Sequence, residues 1–405
     1  MSICIKEAVR IISKNILKVS CEIVPIENIQ GRILAEDIYA KLSLPTFNNS
    51  AMDGYAVKLS DQNKEIKVLD IIFAGSEKRT NFEEGQCVKI MTGARVPSST
   101  EAIVPQELVT NIDENTILLP DTININQHIR FTGEDIEKGE KLLSEGDDLN
   151  FSSVTVLASQ GITHVKVYRK PKVSVFTSGE ELKLHYEKIE EYQIYNSNTP
   201  TLLARTEELG ADVTFVGMAK DNVESLKEVI SNSLYADFII TSGGISVGDA
   251  DFTKEAFDSF DMETLFDGIT IKPGKPTVFG KINNTYILNL PGNPLAAALI
   301  FEVFGKIIMQ KLSGSKNVHH NTLLAKMGEK LNNKKGRTTI IPGFFDGEYF
   351  TASEKRAAGM VGVLHKCNAI MVLNKQNEVL EKEAIVKILP INWKFFTDIE
   401  KDYFN

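Results

Sequence analysis

Two lysines set among two prolines and a glycine, in Ile271-Lys272-Pro273-Gly274-Lys275-Pro276, give the strongest anion-site signal in this sequence. Proline fixes φ, so the segment presents both ammonium groups to one oxyanion at reduced entropic cost. A second candidate runs from Ser242 to Asp251. There Ser242, Gly243, Gly244, Ser246 and Gly248 offer hydroxyls and approachable backbone N–H groups for a phosphate, and Asp249 and Asp251 can hold Mg²⁺. The spacing matches neither a P-loop nor Gly-x-Gly-x-x-Gly, and a tight crossover would also use those glycines. Weaker signals lie in Asp53-Gly54, in Met91-Thr92-Gly93-Ala94 and in Arg130-Phe131-Thr132-Gly133-Glu134-Asp135. Each places a hydroxyl, a carboxylate or a cation beside a glycine, but taken alone each reads first as a plain or solvated turn. Of Glu180 and Glu181, which follow a strand end, one can face a site and the other solvent. Asp221 lies three residues before Glu224 at a helix start, where N-capping competes with a ligand role.

The elements that must carry these loops are clearest in the middle of the chain. Lys172–Thr177, Ala211–Met218 and Ala236–Thr241 read as strands. Between them fall a helix opening at Thr199-Pro200 and closing at Gly210, and another keeping Val223, Leu226, Val229, Ile230 and Leu234 on one face. Tyr286–Leu290 is a further strand, closing at Pro291-Gly292-Asn293-Pro294 before an apolar helix that runs to about Leu312. Strand–helix alternation predicts an α/β domain with a parallel-type sheet flanked by helices, and in such sheets ligands sit beyond the carboxyl ends of the strands. Two of these strands end in the same Thr-Ser-Gly, at Thr177-Ser178-Gly179 and Thr241-Ser242-Gly243. The flanks differ. Short β-like runs (Ile66–Ile72, Cys87–Met91, Thr116–Leu119) fill residues 54–132. The tail has a hairpin signal at Asp346-Gly347, between Phe344-Phe345 and Tyr349-Phe350. The first 40 residues read as helical, with Ala8, Ile11, Ile12 and Ile16 on one face.

Composition narrows the function classes. At 405 residues the chain exceeds one ordinary core, and about 150 residues per domain suggests roughly three. The net charge of −9 disfavours a broad nucleic-acid surface, so an anionic substrate must be drawn by a few placed cations or a metal. Cys4, Cys21, Cys87 and Cys367 show neither a zinc spacing nor a disulfide framework, which fits a reducing, cytoplasmic setting. The longest apolar run, Leu295 to Phe301, is too short to span a bilayer, and Lys6, Glu7 and Arg10 exclude a signal peptide at the N-terminus.

Six segments in order make the pattern specific: Asn49-Ser-Ala-Met-Asp-Gly-Tyr-Ala56, Met91-Thr-Gly-Ala94, Gly133-Glu-Asp135, Ser242-Gly-Gly-Ile-Ser-Val-Gly248, Ile271-Lys-Pro-Gly-Lys-Pro276 and Leu290-Pro-Gly-Asn-Pro294. In this the chain resembles, over nearly its whole length, the MoeA family of molybdopterin molybdenumtransferases, whose eukaryotic relatives include the E domain of gephyrin. The resemblance implies insertion of molybdate into adenylylated molybdopterin with Mg²⁺, releasing AMP. It implies a homodimer of four-domain subunits, with a cleft shared between subunits and transient contacts to molybdopterin adenylyltransferase and acceptor molybdoenzymes. It places a discontinuous helical dimerisation domain at 1–45 and 135–171 and a β-rich insert at 46–134. The α/β molybdopterin-binding domain would be 172–318, and a C-terminal β-barrel-like domain 319–405.

Carried over residue by residue, the resemblance assigns catalytic roles to Asp53, Thr92, Asp135, Glu181, Asp221, Asp251, Lys272 and Lys275. Mg²⁺ goes to Glu181 and Asp251. Substrate and anion contacts go to Arg130, Ser242, Gly243, Gly244, Ser246, Gly248, the two lysines, Pro291, Gly292, Asn293 and Pro294. Three positions depart from the family pattern: Ala358 stands where a serine is expected, Asn48 where an aspartate is common, and Thr132 where a further basic residue occurs. An isolated adenylyltransferase would lack the insert and the C-terminal domain, and a receptor-binding scaffold has no added linker or module here to support it.

Overall fold

The computed structural model describes residues 2–244, 252–334, 336–376, 379–392, 400 and 402. The chain folds into two compact units, one made of Met1–Glu36, Glu145–Phe151 and His164–Asn405, the other of Asp37–Ser144 and Ser152–Thr163.

The second unit is built on a mixed six-stranded sheet in the order Ala102–Pro105, Gly54–Val57, Gln86–Ile90, Glu65–Ile72, Thr116–Leu118, Thr110–Asn111. Side chains alternate faces along a strand. Tyr55, Val57, Cys87 and Val104 therefore enter one core, and Ala56, Val88, Ile90 and Ile103 the opposite one. With both faces covered, Gly54–Val57 is buried at every residue. Gly54 is required by strand spacing: a Cβ there would lie 2.2 Å from the Val104 carbonyl oxygen.

The larger unit carries the α/β layer. Its strands are β1 (Lys172–Ser178), β2 (Asp212–Ala219), β3 (Phe238–Ser242), β4 (Glu263–Asp267), β5 (Val278–Ile282) and β6 (Thr285–Leu290). The sheet order is β2-β1-β3-β6-β5-β4, with the first four strands parallel and β5 antiparallel to both neighbours. The helices are α1 (Asn198–Glu208), α2 (Val223–Ser233), α3 (Phe252–Asp258) and α4 (Pro294–Ile300). Val175, Ile240 and Leu288 pack against Leu202 of α1 and Leu299 of α4 on one face. Phe176, Ile239 and Ile287 pack against Leu226 and Ile230 of α2 and Phe257 of α3 on the other. Helices on both faces explain why β3 and β6 are unbroken buried runs rather than alternating ones.

Three features differ from the sequence reading. The antiparallel pair β4–β5 makes the sheet mixed; β4 is short, exposed at both ends and without a β-branched run, so periodicity does not reveal it. Helix α1 begins at Asn198, placing Pro200 third rather than first; Asn196 satisfies the Thr199 N–H through its side-chain oxygen at 3.1 Å. Helix in the first 40 residues is confined to Ile5–Asn15, plus a short 3₁₀ turn at Ile26–Asn28. Cys21–Pro25 is instead a strand paired with His164–Tyr168.

The C-terminal strands Thr338–Phe345, Tyr349–Ala352, Leu323–Met327, Ile385–Pro390 and Ala369–Leu373 pair in that order, and the last returns to the first, closing a five-stranded barrel. Met327, Ile341, Phe350 and Ile388 fill it. The expected turn at Asp346-Gly347 is present, with Phe345 opposite Phe350. Ile271–Lys272 adds to the edge of Thr338–Phe345 in parallel. No helix among the described residues is long and apolar enough to cross a membrane.

Candidate functional site

A cleft of about 500 Å³ opens at the carboxyl ends of β1 and β3, between the first residues of α1 and α4. Its floor is held by the two Thr-Ser-Gly strand ends. The Thr177 hydroxyl donates to the Ser242 carbonyl at 2.7 Å, tying β1 to β3. Asn198 at the start of α1 donates to the Gly292 carbonyl at 2.8 Å and reaches the Ser242 hydroxyl at 3.3 Å, adding the β6–α4 turn. Gly243 and Gly244 both adopt positive φ, +93° and +67°. A Cβ on Gly243 would sit 2.5 Å from the Ser178 carbonyl oxygen; one on Gly244 would sit 2.1 Å from Thr253 Oγ1 and 2.6 Å from Ser178 Oγ. Glycine is therefore what lets strand end and loop meet here.

Those two hydroxyls mark the cleft as built for a polar ligand. Ser178 Oγ and Thr253 Oγ1 are buried and have no hydrogen-bond partner among the described residues. Buried polar atoms are rarely left unpaired, because each one costs its desolvation. Oxygens of a bound phosphate would satisfy both. Motif reading missed Thr253 and Asn198, which lie outside the glycine loops; Ser178 was signalled by the repeated Thr-Ser-Gly.

The structure brings Glu181, Asp221, Ser242, Gly243, Gly244, Gly292, Asn293 and Pro294 together in this lining, while Pro291 lies buried behind it. The Glu181 carboxylate folds over Gly179, about 3 Å from where a Cβ would be. Asp221 does not cap α2: Asn222 does, its side-chain oxygen accepting from the Ser225 N–H at 2.9 Å. Asp221 accepts only a long bond from the Glu180 N–H, at 3.4 Å, and faces the cleft. Ser246, Gly248 and Asp251 lie outside the described residues. Among the described residues no three metal-type side chains cluster. Mg²⁺ is commonly held by one or two carboxylates with waters and substrate phosphates, and the Glu181–Asp221 pair beside phosphate-type donors fits that donor set.

Lys272 and Lys275 are exposed and are not part of the cleft lining. Their loop is rigid for reasons beyond its prolines. Gly274 (φ +112°) lies so close to Ile300 of α4 that a Cβ would fall 2.3 Å from its Cδ1. Thr277 Oγ1 donates to the Gly274 carbonyl at 2.7 Å, and Ile269 N–H to the Lys275 carbonyl at 2.9 Å. The barrel also reaches α4: the Ala358 carbonyl accepts from Leu295 and Ala296 N–H at 3.0 and 3.4 Å. The alanine at this position thus acts through its backbone, capping the helix start.

The other predicted residues lie in the second unit. Asp53 Oδ1 accepts from both the N–H and the hydroxyl of Thr92, at 2.7 and 2.8 Å. These two bonds, the backbone one foremost, hold its carboxyl below the ordinary value. Arg130 and Asp135 are exposed, with Arg130 opposite Asn49 in a short antiparallel pair. Asn48 and Thr132 repeat the Asp53–Thr92 geometry without charge: Asn48 Oδ1 accepts from Thr132 N–H and Oγ1 at 2.9 and 3.0 Å. The two unusual positions are therefore partners, which spacing alone could not show.

Comparison with known proteins agrees with this layout. Residues 3–161 match the family described as MoeA N-terminal region (domain I and II), and residues 174–311 the one described as a probable molybdopterin binding domain. The chain is 37% identical to a molybdopterin molybdenumtransferase of Haemophilus influenzae, over 92% of this chain and 94% of that one. It is 34% identical to the enzyme of the same name from Staphylococcus epidermidis, over 84% and 83%. Among solved structures it is similar to the molybdopterin biosynthesis MoeA protein of Pyrococcus horikoshii, with a TM-score of 0.84 at 26% identity, covering 96% of this chain and all of the other.

Proposed function

As a member of the molybdopterin molybdenumtransferase (MoeA) family, the chain is a molybdenum-inserting enzyme of molybdenum cofactor biosynthesis, and we propose that its α/β cleft binds adenylylated molybdopterin and, with molybdate and Mg²⁺, releases AMP. The observation that carries this reading is the pair of buried hydroxyls, Ser178 and Thr253, which have no partner among the described residues and lie beside glycines that keep the space before them open.

Ser178, Thr253 and the Ser242–Gly244 backbone would hold phosphate oxygens, and Asn198 fixes the cleft wall. Glu181 and Asp221 are the described carboxylates fitted to hold Mg²⁺, with Asp251 as the further acid implied by sequence. Held there, Mg²⁺ would supply positive charge against the substrate phosphates. Lys272 and Lys275, on a loop braced against α4, seat the molybdate anion. In a cytoplasmic homodimer, Asp53, Thr92, Arg130 and Asp135 serve the substrate held by a partner's cleft. The product would pass to acceptor molybdoenzymes, and the substrate would come from the adenylyltransferase.

The test is AMP release by Glu181→Gln and Asp221→Asn across a Mg²⁺ series. Loss of a metal-holding carboxylate should cut release at low Mg²⁺ by at least about tenfold, with partial recovery as Mg²⁺ rises. Release equal to the parent at every concentration in both variants would take these acids out of the reaction.

A further inference from the structure

We propose that the second unit carries its own anion pocket, which holds the phosphate of a small phosphorylated ligand between Arg79 and Arg95. A cavity of about 550 Å³ there is lined by Phe47, Asn48, Lys78, Arg79, Asn81 and Arg95 among others, and none of the described residues lining it is a carboxylate. The three cations are not equivalent. Lys78 is paired with Asp70 at 2.8 Å, and Asp70 also accepts from the Thr80 hydroxyl at 3.0 Å, which pins the loop. That leaves Arg79 and Arg95, neither of them ion-paired with a carboxylate among the described residues.

Arg95 is held in place without being neutralised, its guanidinium 5.9 Å over the Phe47 ring. Asn48 Oδ1 is taken by Thr132, which leaves the amide N–H groups as the part of this lining side chain able to donate to a ligand. Arg79 and Arg95 are exposed and line one cavity with no ion-paired carboxylate among the described residues, so an anion entering it meets two available cations in a chain whose net charge is −9. Guanidinium forks match phosphate oxygens in bidentate fashion. The volume falls in the range of roughly 300–1,000 Å³ seen for small-molecule sites, so the cavity has room for the organic remainder of a phosphate ester beside its phosphate.

None of the residues lining this pocket lines the α/β cleft. The test is calorimetric titration of the full chain with 5′-AMP and with pyrophosphate, in the parent, in the Arg79→Ala/Arg95→Ala double variant and in Lys67→Ala, an exposed lysine of the same unit outside the pocket. The double variant should lose one binding site per chain, weakened about 100-fold at roughly tenfold per charge-assisted contact, with its fold unchanged by circular dichroism. Lys67→Ala should bind as the parent does. Equal stoichiometry and affinity in the double variant, or an equal loss in Lys67→Ala, would overturn the pocket. Neither outcome bears on the cleft, which is judged by molybdate-dependent AMP release.

Discussion

Replacing Gly244 by alanine isolates what the strand-end glycine does. A left-handed backbone costs an alanine about 1–2 kcal/mol relative to glycine. The new Cβ would also fall 2.1 Å from Thr253 Oγ1 and 2.6 Å from Ser178 Oγ, far inside contact distance. Overpacking of that kind costs about 1–3 kcal/mol. Gly244→Ala should therefore destabilise the α/β unit by about 2–5 kcal/mol in urea unfolding and abolish binding in the cleft. The clash is with hydroxyls and not backbone, so it can be relieved. Ser178→Ala/Thr253→Ala in the Gly244→Ala background should recover about 1–3 kcal/mol, leaving the backbone cost. Gly243→Ala provides the contrast: its Cβ meets the Ser178 carbonyl oxygen at 2.5 Å, and no side-chain truncation removes that. A coupling energy within about 0.5 kcal/mol of zero between Gly244→Ala and the two hydroxyl deletions would refute the argument.

Other perturbations have equally defined outcomes. Glu302, 7% exposed, binds Arg205 through both oxygens (2.6 and 3.1 Å) and Lys306 at 3.3 Å; Glu302→Ala removes that carboxylate from Lys306 while Arg205 keeps Glu208 and the Ile391 carbonyl, so it should cost less than the roughly 3–5 kcal/mol of a fully stranded buried charge in the same unfolding assay. Burial holds the pKa of His320 below its ordinary 6.5, so the unfolded chain takes up the proton more readily. Its share of stability is complete above that pH and is lost as pH falls toward the folded value; His320→Gln should flatten the slope of stability just below pH 6.5. Lys275→Ala should leave the unfolding midpoint unchanged, the side chain being exposed, while lowering molybdenum insertion about 100-fold; near-parent turnover would remove this lysine from the reaction.

The parts of the molecule legible in the sequence are those whose signal is local. Parallel strands buried on both faces are continuous β-branched runs, so β1, β3 and β6 stand out, and with them the loops where ligands sit. Strand β4 has no such run, and the pairing of Cys21–Pro25 with His164–Tyr168 spans most of the N-terminal half of the chain, beyond any local pattern. The same distinction holds in the cleft. Glycines announce themselves by type, whereas Asn198 and Thr253 are ordinary helix residues until folding places one across β3 and the other against Gly244. Asp221 is ambiguous in sequence because its spacing to Glu224 also fits an N-cap; only the observed Asn222–Ser225 bond frees it. The prolines and glycine of the lysine loop are legible in sequence, but its bracing by Ile300 and by Thr338–Phe345 is a tertiary fact.

The central claim is that this chain couples molybdate to release of the adenylate in its α/β cleft. The most direct measurement is AMP produced by the purified protein from adenylylated molybdopterin and Mg²⁺, with and without molybdate. The account predicts release that depends on molybdate and is lost in Gly244→Ala. Adenylylated molybdopterin that stays bound and intact at saturating molybdate would contradict it.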